Sequence, residues 1–117
     1  MTGPAAAQEG IAVPGILLRF LERASIAYVG TRNRDRVPHV QWVCGWTAEP
    51  DPSRLSFFLV KPFDRCLLAD VAECPRIALT IECIGPHETY QFKGDFAAQR
   101  PPGAADLAAF EPCRQRF

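Results

Sequence analysis

In the hydrophobic pattern of residues 26–46, IAYVGTRNRDRVPHVQWVCGW, two β-rich arms flank a polar tract of Arg32, Asn33, Arg34, Asp35 and Arg36. Successive side chains of a strand point to opposite faces, so the two arms, 26–31 and 37–46, read as strands. The tract between them cannot be buried, and its Asn and Asp suit a reversal of the backbone, which predicts a β-hairpin. In the second arm Val37, His39, Gln41 and Val43 share one face, and Val40, Trp42, Cys44 and Trp46 share the other. One face is therefore mixed and the other apolar. A mixed strand face, inside a small barrel or at a subunit contact, is a place where a polar ligand can be held.

The remaining elements follow from the same periodicities. Residues 1–13 carry little pattern and read as a loose leader. Pro14 stands where a first helical turn tolerates it, and Ile16, Leu17, Phe20, Leu21 and Ala24 recur at three- and four-residue intervals, which predicts a helix over 15–24. The tract 48–54, with two prolines and two acids, marks a reversal, and LSFFLV at 55–60 is a strongly β-prone run. These make three consecutive antiparallel strands of one sheet. Lys61 and Pro62 end the third. Asp64 is placed to cap a helix with the apolar positions Cys66, Leu67, Leu68, Ala69, Val71 and Ala72, ending near Cys74 because Pro75 disfavours helical geometry before it. Residues 76–84 return to strand, with Ile77, Leu79, Ile81 and Cys83 on one face. Residues 85–87 turn, and 88–97 form a fifth strand with a break at Gly94. A last helical pattern covers 104–117, with Leu107, Phe110, Cys113 and Phe117 on one side.

Length and composition narrow the class. A chain of 117 residues fits one domain, here 14–117 after the leader, with a single core. Lys plus Arg and Asp plus Glu are 13 each, which removes a global field toward nucleic acid or anionic lipid. The Arg-rich hairpin turn reads as a solvated loop, because no wider basic surface supports it. The five cysteines lack CxxC spacing, which suits small buried hydrophobes in a reducing cytoplasm. No apolar stretch approaches the roughly 18 residues that would span a bilayer.

Signals of chemistry are sparse. His39 and His87 are the only histidines, and no carboxylate or cysteine stands near them at ligand spacing, which argues against a metal site. Ser25, Ser53 and Ser56 lie outside any nucleophile elbow, and no Gly-rich phosphate loop follows a strand. Trp42 and Trp46 lie on the apolar face and read as core or dimer contact, with stacking on a planar ligand as the alternative.

The order of helix, strand, Arg- and Asp-rich turn, PHVQWV strand, FFLV strand, basic residue leading into a short helix, Pro75–Arg76 turn, IALTIE strand and TYQFKGDF strand resembles the pyridoxamine 5'-phosphate oxidase-like family, the FMN-binding split barrels. The match covers about residues 16–99. The resemblance implies a mainly β fold with short helices, a six-stranded split β-barrel of Greek-key-like antiparallel sheet. It also implies a homodimer that binds flavin mononucleotide between its subunits. Family members continue beyond a helix like 104–117 into one more barrel strand, which this sequence lacks. Either a partner supplies that strand or the chain is a fragment of a longer protein.

By position, the resemblance brings Gln41, Trp42 and Val43 beside the flavin ring. Val60 and Lys61 fall in a second contact region, and Arg65 where the family places phosphate-binding cations. A helix N-terminus with Lys and Arg is a physically sensible site for a dianionic phosphate. The sequence departs from the vitamin-making oxidases at Gln41, where they carry Arg, and at Cys66 and Leu67, where a basic pair is common. These departures speak against pyridoxamine phosphate oxidation specifically. The implied function is a flavin-dependent oxidoreductase taking electrons from a donor such as a nicotinamide. The alternative is a dimeric module that binds or senses flavin, haem or another planar ligand without turnover.

Overall fold

The structure is a computed structural model that describes residues 11–61 and 64–116. Residues 1–10 of the leader, Pro62 at the predicted end of the third strand, and Phe117 on the predicted apolar side of the last helix lie outside the described residues. Helix α1 (Gly15–Arg23) is followed by strands β1 (Ile26–Arg32), β2 (Pro38–Trp42), β3 (Gly45–Ala48) and β4 (Leu55–Phe58). Helix α2 (Arg65–Glu73), strands β5 (Arg76–Cys83) and β6 (Glu88–Asp95), and helix α3 (Ala104–Arg116) complete the chain. The architecture is mixed and mostly antiparallel. The described strands form a four-stranded sheet in the order β2-β1-β5-β6 and a two-stranded ribbon of β3 and β4, with no closed barrel.

The hairpin of β1 and β2 forms as its alternation predicts, with Val29 opposite Gln41 and Thr31 opposite His39. Its turn is closed by Asn33, whose amide donates to the Val37 carbonyl and whose side-chain oxygen accepts from the Val37 amide at 3.0 Å. The second arm does not run on to residue 46, however. The Val43 amide still donates to Ala27, but the Cys44 amide donates to Phe58, so the chain changes partner at this corner. β3 then pairs with β4 (Trp46 opposite Phe57), and the predicted third strand of the sheet becomes half of a separate ribbon. A strand that switches sheets at a bend lets two small sheets close over one core, which a flat three-stranded sheet cannot do.

That core lies between the inner sheet face, the ribbon and the helices, and includes Phe20, Leu21, Ala27, Val29, Val43, Trp46, Leu67, Leu79 and Ile81. Helix α1 follows Pro14 as predicted and buries Phe20 and Leu21, while Ile16 remains exposed. The Trp46 indole donates to the Leu21 carbonyl at 2.9 Å, tying the ribbon to α1. The strand break expected at Gly94 is absent: Gly94 pairs with Ile77 inside an unbroken β6. Helix α3 packs Phe110 against Phe58 and buries Cys113, but Leu107 points outward. Its first turn is braced by Asp106, which accepts from the Gly103 amide and pairs with Arg100. Those contacts hold the Asp106 carboxyl down at about 2, the Arg100 hydrogen bond being the largest cause. Among the described residues no helix is long and apolar enough to cross a membrane.

Candidate functional site

The polar centre of the molecule is one that sequence reasoning missed. Asp70 lies on the face of α2 that packs against the sheet and is only 2% exposed. Its Oδ2 accepts from the Thr31 hydroxyl of β1 at 2.7 Å and stands 2.7 Å from Nδ1 of His39 on β2. Two lone pairs cannot face each other at that distance, so Nδ1 carries the hydrogen and donates it to the carboxylate. Burial pushes the Asp70 carboxyl up, but the hydrogen bonds from Thr31 and His39 and the charge of the imidazole together hold it below its ordinary value. His39 and Asp70 are 31 positions apart, which is why no local spacing reveals the pair. The one available signal was a lone Asp inside the apolar stripe of α2, between Ala69 and Val71.

The same contacts set the direction of α2. Glu73 accepts from the Arg34 amide in the hairpin turn at 2.7 Å, so the carboxyl end of the helix lies at the turn. Arg65 precedes Asp70 by five residues, about 7.5 Å of helix. Gln41 follows His39 by two residues on the same strand face, about 6.6 Å on. Helix α2 therefore runs from Arg65 toward the turn, opposite in direction to β2, which runs from the turn toward Gln41. β2 is the edge of its sheet, so this corner combines an open strand edge with a helix start. Asp64, expected as the cap, has helical geometry and its side chain makes no capping hydrogen bond. The first amides of α2 are thus not taken up by that carboxylate, which is the condition for a helix start to accept a phosphate.

The other residues expected at the site divide. Gln41 is half-buried on the β2 face that carries His39, and Arg65 and Lys61 are exposed at the helix start and in the segment leading to it. Val60 is exposed in that same segment. Val43 is 1% exposed and belongs to the core, so its side chain is closed to a ligand. Alternation turns Trp42 to the opposite sheet face from Gln41, where it is 56% exposed and tilted against Tyr28 at 4.7 Å between ring centroids. The apolar face read as core or dimer contact is thus split. Trp46 is core, while Val40 and Trp42 stand on the outer sheet face.

That outer face has a floor of Gly30 and Ala78, which are paired across β1 and β5. A shallow depression of about 370 Å³ lies over them, bordered by Arg32, Arg76 and Lys93. Arg76 pairs with Asp95 at 3.4 Å. Of the five free cysteines, Cys74 and Cys113 are buried as expected, but Cys66 is exposed in the first turn of α2. Among the described residues no group of three or more His, Cys, Asp or Glu side chains could hold a metal ion. Comparison of the chain with family models, curated proteins and solved structures found no match.

Proposed function

We propose that this chain binds flavin mononucleotide along the β2–α2 corner and works as a flavin-dependent oxidoreductase of the pyridoxamine 5'-phosphate oxidase-like, split-barrel type. The observation that carries this reading is that α2, starting at Arg65, lies across the hairpin whose edge strand carries Gln41. Arg65, Lys61 and the first amides of α2 would hold the phosphate, and Gln41 with the edge of β2 would hydrogen-bond the polar rim of the ring system. Bound flavin supplies the hydride and electron chemistry, with a nicotinamide as the class of donor. The chain's own part is to bind, orient and move protons.

The reading includes a homodimer. The β2 edge of the outer sheet face, with Val40 72% exposed and Trp42 beside it, is an apolar strip that a second subunit would cover. It also includes a reducing, cytoplasmic setting, which suits five free cysteines. FMN titration of the purified protein, followed by fluorescence quenching, tests it. Saturable uptake that is lost on Lys61→Ala with Arg65→Ala is expected; no uptake by the unaltered protein refutes it. Uptake without reduction by NADH or NADPH would make the chain a binding or sensing module.

A further inference from the structure

We propose that His39 exchanges a proton through Nε2 with the ligand bound along β2, and that Asp70 is a positioning residue acting through Nδ1; this rests on the flavin reading above. Burying a carboxylate costs several kcal/mol unless its partners compensate. An apolar side chain at position 70 would pin α2 to β1 without that cost. Instead the carboxylate engages an imidazole on an edge strand, whose side chain is 37% exposed while Asp70 is enclosed. With Nδ1 held by Asp70, Nε2 projects from the opposite side of the ring, away from the carboxylate. It lies one strand repeat from Gln41 on the same face.

The charged groups near this end of the hairpin include Asp70 and Glu73 from α2, Arg32 from the end of β1, Arg34, Asp35 and Arg36 from the turn, and Arg76 and Lys93 on the outer sheet face. Glu73 is engaged by the Arg34 amide. Asp70 is thus the carboxylate in direct contact with the ring, placed to balance the ring whenever it carries a second proton. Hydride delivery by a donor of the nicotinamide class would leave negative charge on a flavin held along β2. The Nε2–H bond of the imidazolium can neutralise it by hydrogen bonding or by passing the proton over. His39 then becomes neutral, keeps Nδ1–H on Asp70, and is reprotonated at Nε2 from water. Asp70 stays ionised throughout.

The test uses the full chain loaded with FMN, comparing unaltered protein with His39→Gln and Asp70→Asn. Circular dichroism confirms the fold, and Asp70→Asn gives a second reading if either variant is impaired. His39→Gln is expected still to take up FMN through Lys61 and Arg65. Its bound FMN should have a two-electron reduction equilibrium about tenfold less favourable near neutral pH, a fall of about 30 mV in midpoint potential. Asp70→Asn should move it in the same direction. A role confined to pinning α2 would change thermal stability and leave the potential alone. Bound FMN with an unaltered potential in His39→Gln overturns this proposal by itself. Failure of the unaltered protein to take up FMN overturns the flavin reading and this proposal with it.

Discussion

The ring of Phe110 occupies the space that a side chain at Gly45 would need: a β-carbon there would fall 2.5 Å from Cδ1 of Phe110 and 3.1 Å from Cδ2 of Phe58. The first residue of β3 must therefore be bare for α3 to dock on the ribbon. Gly45→Ala is expected to lower stability by about 1–3 kcal/mol, the usual cost of overpacking. Urea denaturation measures it, and an unchanged midpoint would show that α3 does not rest on this contact.

Stability should fall in acid partly through Asp70. Its folded-state carboxyl lies below the ordinary value, despite a burial effect that pushes it up, because Thr31 and His39 hydrogen-bond to it. A depressed carboxyl contributes stability that is present above the unfolded value of about 3.9 and lost as pH falls through the folded value. The advantage of the unaltered protein over Asp70→Asn should shrink as pH falls from about 5 to below about 4. Paired denaturation curves across that range test the sign; an advantage that grows in acid would contradict it.

Arg36 sits in the hairpin turn with φ of 64°, a left-handed conformation that costs a residue with a β-carbon about 1 kcal/mol. Its side chain is exposed and its amide donates to Asn33. Arg36→Gly should raise the unfolding free energy by up to about 1 kcal/mol, because relief of strain is offset by the greater freedom of glycine in the unfolded chain. Arg36→Val should lower it. Thermal denaturation of the two variants is expected to bracket the unaltered protein.

Charge-assisted contacts to a phosphate are worth about 1.5–3 kcal/mol each, so Lys61→Ala with Arg65→Ala should weaken FMN binding by at least about a hundredfold. Thermal stability should barely move, since both side chains are exposed. Equal affinity in the double variant would place the phosphate elsewhere.

Exposed Trp42 and Val40 are expected to be subunit contacts. Trp42→Asp should shift the protein toward monomer in sedimentation experiments, whereas Arg36→Gly at the far end of the hairpin should not. An unaltered protein that sediments as a monomer at micromolar concentration would remove the outer face from the interface.

How much of this was legible in the chain varies with the range of the interaction. Helix α1, the β1–β2 turn, α2 and the alternation of Ile77, Leu79 and Ile81 could be read directly, because periodicity and turn chemistry act over a few residues. The corner at Val43 and Cys44 could not. Residues 37–46 read as one continuous β-rich arm, and the change of partner from Ala27 to Phe58 depends on where the ribbon finds room over the core.

The candidate site divides in the same way. Lys61, Arg65 and Gln41 were identifiable as residue types near a helix start and a strand, and the sequence alone sets the alternation that separates Gln41 from Trp42. The direction of α2 across the hairpin comes from Glu73 meeting Arg34 and from Asp70 meeting Thr31 and His39. Sequence could determine what each short segment prefers, since those preferences are local. Only packing could decide that a lone aspartate in an apolar stripe becomes the buried partner of a histidine on another element, because that bond exists only once α2 lies across the hairpin.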